Sequence, residues 1–311
     1  YNNLNMVEFE SIKTPTRNKL HIDYVYNQQK HLSSITYPNS HRVFTRTNAF
    51  GELTQLHRSG RTYLSNAQYY ANSSLKSYNL GNGVAHLTSL NPSNNLPREI
   101  KYYKGNTTIA KFNYTYDNNG NIIRILDGSD SGYNINTLQY DGLDRLTRTY
   151  GNSKVGNSTK RYDTLGNVEY FLNKNRSLTY HYDRGANLLD SVTSSGSKDK
   201  DYGYFNYDSR GNIIHNSHFA MSYNLANQMV GANGNTYLYD GHNRRVYENE
   251  KGNVSYSFYS KNGQLLYREK DGVGTNYLYL GNTLIAKDKN GTTTYLHVDN
   301  LGSPVAETNS S

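Results

Sequence analysis

Two residues near the end of the chain, His297 and Asp299, have the types and spacing that proton transfer or metal binding requires. They alternate along a segment of strand character, so both side chains would point to one face. An imidazole beside a carboxylate can share a proton or hold a cation. Whether the pair does chemistry or only fixes a corner of the chain is open at this point.

Metal and cofactor sites have no further support in the sequence. There is no cysteine, so a thiolate site is excluded. Neither a His-Glu-x-x-His helix motif nor an Asp-x-Asp-x-Asp-Gly calcium loop occurs. The acidic stretch from Asp127 to Gly132 is predicted to be a polar hairpin loop. The sequence therefore predicts no metal and no cofactor.

One enzymatic alternative fits the composition. A polysaccharide lyase abstracts a proton with Tyr or His while Arg or Lys neutralises the sugar carboxylate. The chain has 32 Tyr, 10 His and 33 Lys plus Arg. No spacing points to such a site, so the sequence leans away from an enzyme. The histidines to inspect are His181, His215, His218 and His242.

The composition bounds the classes of protein that remain. Hydrophobic residues make up 35% of the 311 residues and the mean hydropathy is -0.86, yet aromatic residues reach 13%, which argues against disorder. No stretch approaches the roughly 18 apolar residues of a membrane span. The net charge of +8 is spread along the chain without a recognised motif, so no nucleic-acid partner is predicted. The first residue, Tyr1, suggests a fragment.

The elements that position these residues are repeats of the form Tyr-Asp-x-x-Gly-x-aliphatic, with a loose period of about twenty residues. Tyrosine and aliphatic residues suit strands, whereas Asp and Gly suit a tight turn. Each repeat therefore predicts strand, turn, strand, and the fold is predicted to be all-β, built from antiparallel β-hairpins. The residues assigned to the repeat motif are Tyr116, Asp117, Gly120, Tyr140, Asp141, Tyr162, Asp163, Gly166, Tyr207, Asp208, Gly211, Tyr239 and Asp240.

The repeats divide the chain into three predicted segments. Residues 1–111 hold degenerate repeats, and the irregular stretch 54–110 is where a loop insertion is expected. Residues 112–276 hold regular repeats. Residues 277–311 begin a region with a different motif, Tyr-Leu-His-Val-Asp-Asn-Leu-Gly-Ser-Pro-Val at 295–305.

These motifs resemble the RHS/YD-repeat family, which includes Rhs polymorphic toxins, the B and C components of Tc toxins, and the teneurins. The likeness rests on the repeats, on the Leu-Gly-Asn-Gly element at 80–83, on residues 277–286, and on the closing motif. That motif is similar to the hallmark of the family's core-associated region. Its matching residues here are His297, Asp299, Leu301, Gly302, Ser303 and Pro304.

The resemblance implies a curved strip of hairpins that forms part of a spiral β-shell, without chemistry in the repeats. It implies that His297 and Asp299 are structural, and that the partners are other shell segments and an enclosed C-terminal toxin. It also implies a secreted or cell-surface protein.

Asn300 replaces the second His of the hallmark, and the later core segment with its autoproteolytic aspartates is not in this sequence. Self-cleavage is therefore not expected. Two alternatives stay open: a carbohydrate-binding adhesive module and the polysaccharide lyase.

Overall fold

The computed structural model describes residues 1–3, 5–14, 19–196 and 201–310. These residues form β-strands joined by turns, and the one helix among them is the short 3-10 helix Ser131–Tyr133. The chain divides into two compact units: unit 1 comprises residues 1–111 and 238–311, and unit 2 comprises residues 112–237. The prediction of an all-β chain of antiparallel hairpins is confirmed.

The strands follow one another along the whole described chain. Residues 9–116 form β1 (Phe9–Ile12), β2 (Leu20–Tyr26), β3 (Leu32–Thr36), β4 (Arg42–Thr47), β5 (Leu53–Arg58), β6 (Arg61–Tyr69), β7 (Leu75–Leu80), β8 (Ala85–Leu90), β9 (Pro97–Lys104) and β10 (Thr107–Tyr116). Residues 122–232 form β11 (Ile122–Asp127), β12 (Ile135–Tyr140), β13 (Leu146–Gly151), β14 (Asn157–Tyr162), β15 (Val168–Asn173), β16 (Arg176–Tyr182), β17 (Leu189–Gly196), β18 (Phe205–Tyr207), β19 (Ile213–Asn216), β20 (Met221–Tyr223) and β21 (Met229–Ala232). Residues 235–309 form β22 (Asn235–Tyr239), β23 (Arg245–Glu250), β24 (Asn253–Tyr259), β25 (Leu265–Lys270), β26 (Val273–Leu280), β27 (Thr283–Lys289), β28 (Thr292–Val298) and β29 (Pro304–Asn309).

Sequential antiparallel pairing is the rule, and the register shifts at the repeat tyrosines. In the hairpin β12–β13, for example, Gln139 pairs with Arg148 but Tyr140 pairs with Leu146. The same irregularity occurs at Tyr162 in β14–β15 and at Tyr207 in β18–β19. A bulge of this kind re-aims the side chain and increases the local twist. It lies immediately before the Asp turn in each case.

Unit 1 has a packed interior between its two stretches of chain. Tyr37 on β3–β4 donates its hydroxyl proton to the carbonyl oxygen of Tyr277 on β26 at 3.1 Å, and Tyr102 on β9 donates to that of Val298 on β28 at 3.2 Å. Strands from residues 20–104 therefore pack against strands from residues 256–298. The largest fully buried side chains there include Tyr63, Tyr78, Tyr102, Tyr267 and Tyr295. Tyrosine thus forms much of this core.

Unit 2 has far less buried apolar surface. Among its described residues the buried hydrophobic side chains are Tyr114, Val192 and Tyr237. Most strand residues are only partly covered, as expected where a sheet carries water on much of its surface. The hydrogen bonds between hairpins therefore carry a larger share of the organisation here than in unit 1.

The stretch 54–110, where a loop insertion is expected, is occupied by most of β5 and by β6 to β9 and the start of β10, with residues 91–96 linking β8 to β9. Unit 2 begins at residue 112, where the regular repeats are predicted to begin, and ends at residue 237. The predicted division at 276 and 277 falls inside β26.

Candidate functional site: a ladder of tyrosine–aspartate turns

Asp163 shows how a repeat turn is built. Its Oδ1 accepts hydrogen bonds from the backbone N–H groups of Leu165 at 2.9 Å and Asn167 at 2.8 Å. The N–H of Gly166 donates to the carbonyl oxygen of Asp163 at 3.2 Å. Gly166 has φ +92°, a conformation that residues with a Cβ rarely adopt. The carboxylate therefore organises a turn that glycine completes.

The other predicted turns repeat this geometry with limited variation. Asp117 and Asp208 each accept from the N–H groups two and four residues on, and their glycines, Gly120 and Gly211, have φ of +86° and +82°. Asp141 and Asp240 accept in the same way, at 2.9–3.0 Å. In those two turns the left-handed position is taken by Asp144 (φ 58°) and Asn243 (φ 62°). Asp and Asn tolerate that conformation better than other residues do.

The hydrogen bonds also fix the charge of the turn carboxylates. Bonds from the Asn212 side chain, and then from the Asn212 and Arg210 backbone, lower the pKa of Asp208 to about 2. They do so because each bond is made to the ionised form. The turn is therefore held by a carboxylate that stays charged at any pH well above that value.

The repeat tyrosines reach backwards along the chain. Tyr162 donates its hydroxyl proton to the carbonyl oxygen of Leu146 at 2.9 Å, and Tyr140 donates to that of Ile122 at 2.8 Å. The acceptor is in both cases the aliphatic residue that closes the preceding repeat. The same bond joins Tyr182 to Val168, Tyr207 to Leu189, Tyr69 to Leu53 and Tyr279 to Leu265. Their sequence pattern predicts strand packing alone, so this role of the hydroxyl is a finding of the structure.

The residue four positions after the turn Asp reaches forwards. The Asn167 side-chain amide donates to Asn187 Oδ1 at 2.7 Å, in the next turn. Its counterpart Asn121 donates to Asp144 Oδ1 at 2.7 Å. Arg145 donates to the Asp163 carbonyl oxygen at 3.3 Å, and its guanidinium lies 4.6 Å from the centre of the Tyr162 ring. The sequence signal for this contact is an Asn or Arg directly before the aliphatic residue.

We refer to the turns at 117–121, 141–145, 163–167, 183–187, 208–212 and 224–228 of unit 2 as the turn ladder. The link from Asn212 to Asn227 continues it at 2.9 Å. Within unit 1 the turn at Asp240 behaves similarly: Arg244 Nε lies 2.6 Å from Asp240 Oδ2, and the Arg244 guanidinium lies 5.6 Å from the Tyr259 ring centre. Arg244 also donates to the carbonyl oxygen of Ser260.

The closing motif is a further turn of this type. Asp299 Oδ1 accepts from the N–H groups of Leu301 and Ser303, both at 2.9 Å, and Gly302 has φ +82°. Leu301 is exposed at the turn, and Pro304 begins β29. His297 is fully buried, and its Nε2 lies 2.9 Å from Thr308 Oγ1. His297 and Asp299 thus bind different groups.

His297 belongs to a buried aromatic stack in unit 1, which we call the histidine stack: Tyr78, His86, Tyr102 and His297. The ring centres lie 4.4 Å apart for Tyr78 and His86, 4.7 Å for His86 and Tyr102, and 4.7 Å for Tyr102 and His297. Burial lowers the pKa of His86 to about 3, with His297 adding to the effect, and burial lowers the pKa of His297 to about 4. Both rings are therefore neutral at neutral pH.

A second buried polar chain in unit 1 was not foreseen from the sequence. Arg58 Nη1 lies 3.3 Å from His41 Nδ1, and His41 Nε2 lies 2.9 Å from the Tyr63 hydroxyl. Tyr63 in turn donates to Asp288 Oδ2 at 3.0 Å, which also accepts from Thr293 Oγ1 at 3.0 Å. Because Arg58 donates to His41 Nδ1 and the Tyr63 hydroxyl proton goes to Asp288, His41 is neutral and carries its proton on Nε2. The chain joins the β3–β4 turn, β5 and β6 to the β27–β28 hairpin.

The four histidines considered for a lyase have separate partners. His181 Nε2 lies 3.2 Å from Thr193 Oγ1, His215 Nδ1 lies 2.9 Å from the Tyr204 hydroxyl, and His218 Nε2 lies 2.9 Å from the Asp201 carbonyl oxygen. The backbone N–H of His242 donates to Asp240. The four histidines therefore share no hydrogen-bond partner, and the lyase hypothesis stays a prediction.

The acidic stretch that begins at Asp127 forms a local cap. Asp127 Oδ1 accepts from the N–H groups of Ser129 and Asp130, and Asp130 accepts from the N–H of Gly132 at the start of the 3-10 helix. Asp130 also pairs with Lys154. Within the described ranges no group of three or more His, Cys, Asp or Glu side chains is placed to hold a metal ion.

The family follows from a sequence comparison. The model of the teneurin YD-shell family matches residues 93–311, most of the chain. The protein belongs to this family and is therefore an RHS/YD-repeat protein. No curated protein matches the sequence significantly. In the part of the chain that the structure describes, no helix is long and apolar enough to cross a membrane.

Solved toxin structures share the fold. A mutant Tc holotoxin pore of Photorhabdus luminescens matches with a TM-score of 0.66 and 14% identity, over 97% of this chain and 18% of that one. The TcdB2-TccC3 crystal structure matches with a TM-score of 0.67 and 14% identity, over 97% of this chain and 19% of that one. The protein therefore spans under a fifth of the length of the chains it resembles.

Proposed function

We propose that this protein is a structural segment of a secreted or cell-surface YD-repeat shell that encloses or presents a C-terminal toxin or effector. The observation that carries the proposal is the bonding of the turns at 141–145, 163–167 and 208–212 in two directions. The tyrosine binds the preceding repeat and the Asn or Arg binds the following one. Such a segment extends by adding hairpins, which is what a wall requires.

The partners follow from this role. A strip whose neighbouring hairpins bind through backbone carbonyls and short amides accepts more hairpins of the same kind at its ends. Other segments of the shell are therefore the first partners, and an enclosed toxin is the second. The likeness to the TcdB2-TccC3 structure supports this proposal at the level of the fold.

The test uses the full-length gene product that contains this segment. We expect the polypeptide that follows the shell to resist protease in the native protein, and to be cleaved when Asp163→Ala and Asp208→Ala are combined. Asp190→Ala is the matched control, because Asp190 is an exposed strand residue that caps no turn. Cleavage of the downstream polypeptide in the native wild type, as fast as in the double variant, would contradict enclosure.

Glycan binding is the second candidate, and a groove of about 490 Å³ in unit 2 supports it. Asn157 and Asn173 line the groove, and the Oδ1 atom of each accepts a backbone N–H group, which leaves the two NH₂ groups as donors. Ser153 and Lys174 also line it. A donor-rich groove favours an acidic sugar, whose carboxylate is an acceptor.

A glycan array tests this candidate directly. We expect uronic-acid oligomers to be retained and neutral oligomers of the same length to be lost. Lys174→Glu should abolish retention, whereas Lys270→Glu in unit 1 serves as the charge-matched control. If both variants lose retention equally, the net charge of the protein and not the groove binds the oligomers.

A further inference from the structure

A cavity of about 420 Å³ lies inside unit 1, between β3–β6 and β25–β26. Its volume is in the range of small-molecule pockets. The walls are apolar: the side chains that line it include Leu32, Ile35, Val43, Leu53, Leu56, Leu266 and Leu278. Val43, Leu56, Leu266 and Leu278 are themselves almost completely buried. These walls of the cavity therefore belong to the folded interior.

The polar groups of the wall already have partners. Tyr37 donates to the Tyr277 carbonyl oxygen at 3.1 Å, and Tyr69 donates to the Leu53 carbonyl oxygen at 2.7 Å. The hydroxyl groups of Tyr279 and Thr45 donate to the carbonyl oxygens of Leu265 and Leu32, and the Gln264 amide donates to that of Gly281. A guest would meet hydrocarbon and ring faces, with no free donor among these groups. Such a cavity prefers an apolar guest to water.

The open end carries a negative charge. Gly51, Glu52, Ser73 and Gly281 are turn or turn-edge residues that line the cavity. Burial and then the charge of Glu52 raise the pKa of Tyr69, which also lines the wall, to about 12. Because Glu52 itself lines the cavity, its carboxylate acts on groups inside it. It would repel the carboxylate of a fatty acid whose chain occupied the apolar walls.

We propose that this cavity binds one neutral, apolar small molecule, of the size and chemistry of a medium-chain alcohol, and that it discriminates against the corresponding carboxylate. The apolar walls supply affinity in proportion to the area they remove from water. The Glu52 carboxylate supplies the selection. The site is independent of shell assembly, since all of its residues belong to unit 1 of this chain.

Calorimetric titration with 1-octanol and with octanoate at pH 7.5 tests the proposal. We expect saturable 1:1 binding of octanol, and binding of octanoate weaker by about tenfold because of the charge at the mouth. Glu52→Gln should raise the octanoate affinity towards that of octanol, without making the two equal because the apolar walls still desolvate a carboxylate, and should leave the octanol affinity unchanged. Absence of saturable octanol binding, or equal affinities in the wild type, would overturn the proposal.

A pair of filling variants adds a readout that needs no ligand. Leu56 lines the cavity, whereas its cross-strand partner Leu64 is fully buried outside it. Leu56→Phe should fill the space, keep the melting temperature or raise it, and abolish octanol binding. Leu64→Phe should lower the melting temperature by overpacking and leave octanol binding unchanged in the folded fraction. Octanol binding by a folded Leu56→Phe protein at wild-type affinity would refute the location.

Discussion

At the scale of the residue, the hydroxyl group of tyrosine explains why the repeats use Tyr and not Phe. Tyr162 is half-buried and donates to the Leu146 carbonyl oxygen of the preceding repeat. Tyr207 does the same to Leu189 at 2.7 Å. A phenylalanine would keep the apolar area but leave that carbonyl oxygen without this donor. The 32 Tyr against 8 Phe in the chain are consistent with this preference.

Replacement of one hydroxyl should therefore be measurable. Tyr162→Phe is expected to lower the free energy of unfolding by about 1 kcal/mol, the usual net value of one hydrogen bond. Urea denaturation followed by circular dichroism measures it. Tyr180→Phe is the control, because no hydroxyl bond of Tyr180 occurs within the described residues. Equal losses for both variants would mean that the bond to Leu146 contributes nothing.

The low pKa of a turn carboxylate predicts the pH below which the turn ladder loses stability. Asp208 has its pKa lowered to about 2 in the folded chain, against an ordinary value of 3.8. A lowered folded pKa means that the stabilisation is fully present above pH 3.8 and is lost as the pH falls towards 2. Asp208→Asn removes the titrating group, so the variant should lose less stability than the wild type over that interval. Urea midpoints at pH 5, 4 and 3 measure this, with Asp190→Asn expected to follow the wild type.

At the scale of the element, glycine matters only where the turn requires a left-handed residue. Gly166 has φ +92°. Gly142, in the preceding turn, is not in this left-handed conformation, and the space that a Cβ atom would occupy there is open. Gly166→Ala should lower the free energy of unfolding by about 1–2 kcal/mol through backbone strain. Gly142→Ala should be neutral or slightly stabilising, since it restricts the unfolded chain. Denaturant titration compares them, and an equal loss at both sites would contradict this account of the turn.

The hairpins were predictable because the signal for each is local. Asp163 bonds to N–H groups two and four residues away, and Gly166 supplies the backbone angle, so seven residues contain the whole turn. What the analysis of the sequence missed also has a local signature. Asn167 precedes Val168 in the same place where Asn121 precedes Ile122, but an amide that binds another turn is indistinguishable in sequence from one exposed to water.

At the scale of the whole molecule, prediction fails where contacts join distant parts of the chain. Tyr63 and Asp288 are 225 residues apart, yet they share a buried hydrogen bond in unit 1. No repeat motif marks either residue as part of a pair. The apolar cavity arises in the same way, because Leu56 and Leu278 face one space only after both stretches have folded. Repeats specify their neighbours; they do not specify which hairpins will pack face to face.

The histidine stack makes unit 1 sensitive to mild acid, which is a property of the assembled unit and not of any hairpin. His86 lies on β8 and His297 on β28, with Tyr102 between their rings. The groups that face them are the rings of Tyr78 and Tyr102 and the hydroxyl groups of Thr88 and Thr308, which lie 2.8 Å from His86 Nε2 and 2.9 Å from His297 Nε2. In addition, Nδ1 of both histidines is buried without a hydrogen-bond partner in the described structure. A proton on either ring would therefore meet no ready acceptor.

The folded pKa values of about 3 and 4 lie below the ordinary value of 6.5. At a pH between 6.5 and these folded values, the folded chain therefore binds fewer protons than the unfolded chain. Stability should thus be complete above pH 6.5 and fall as the pH drops towards 4, by up to about 1.4 kcal/mol per pH unit for each histidine. His86→Phe keeps an aromatic ring against Tyr78 and should reduce this slope, whereas His181→Phe in unit 2 should not. Urea midpoints from pH 7.5 to 5 measure both slopes. A wild-type stability that stays constant over this range would show that the stack accepts protons without opening, and would remove acid sensitivity from unit 1.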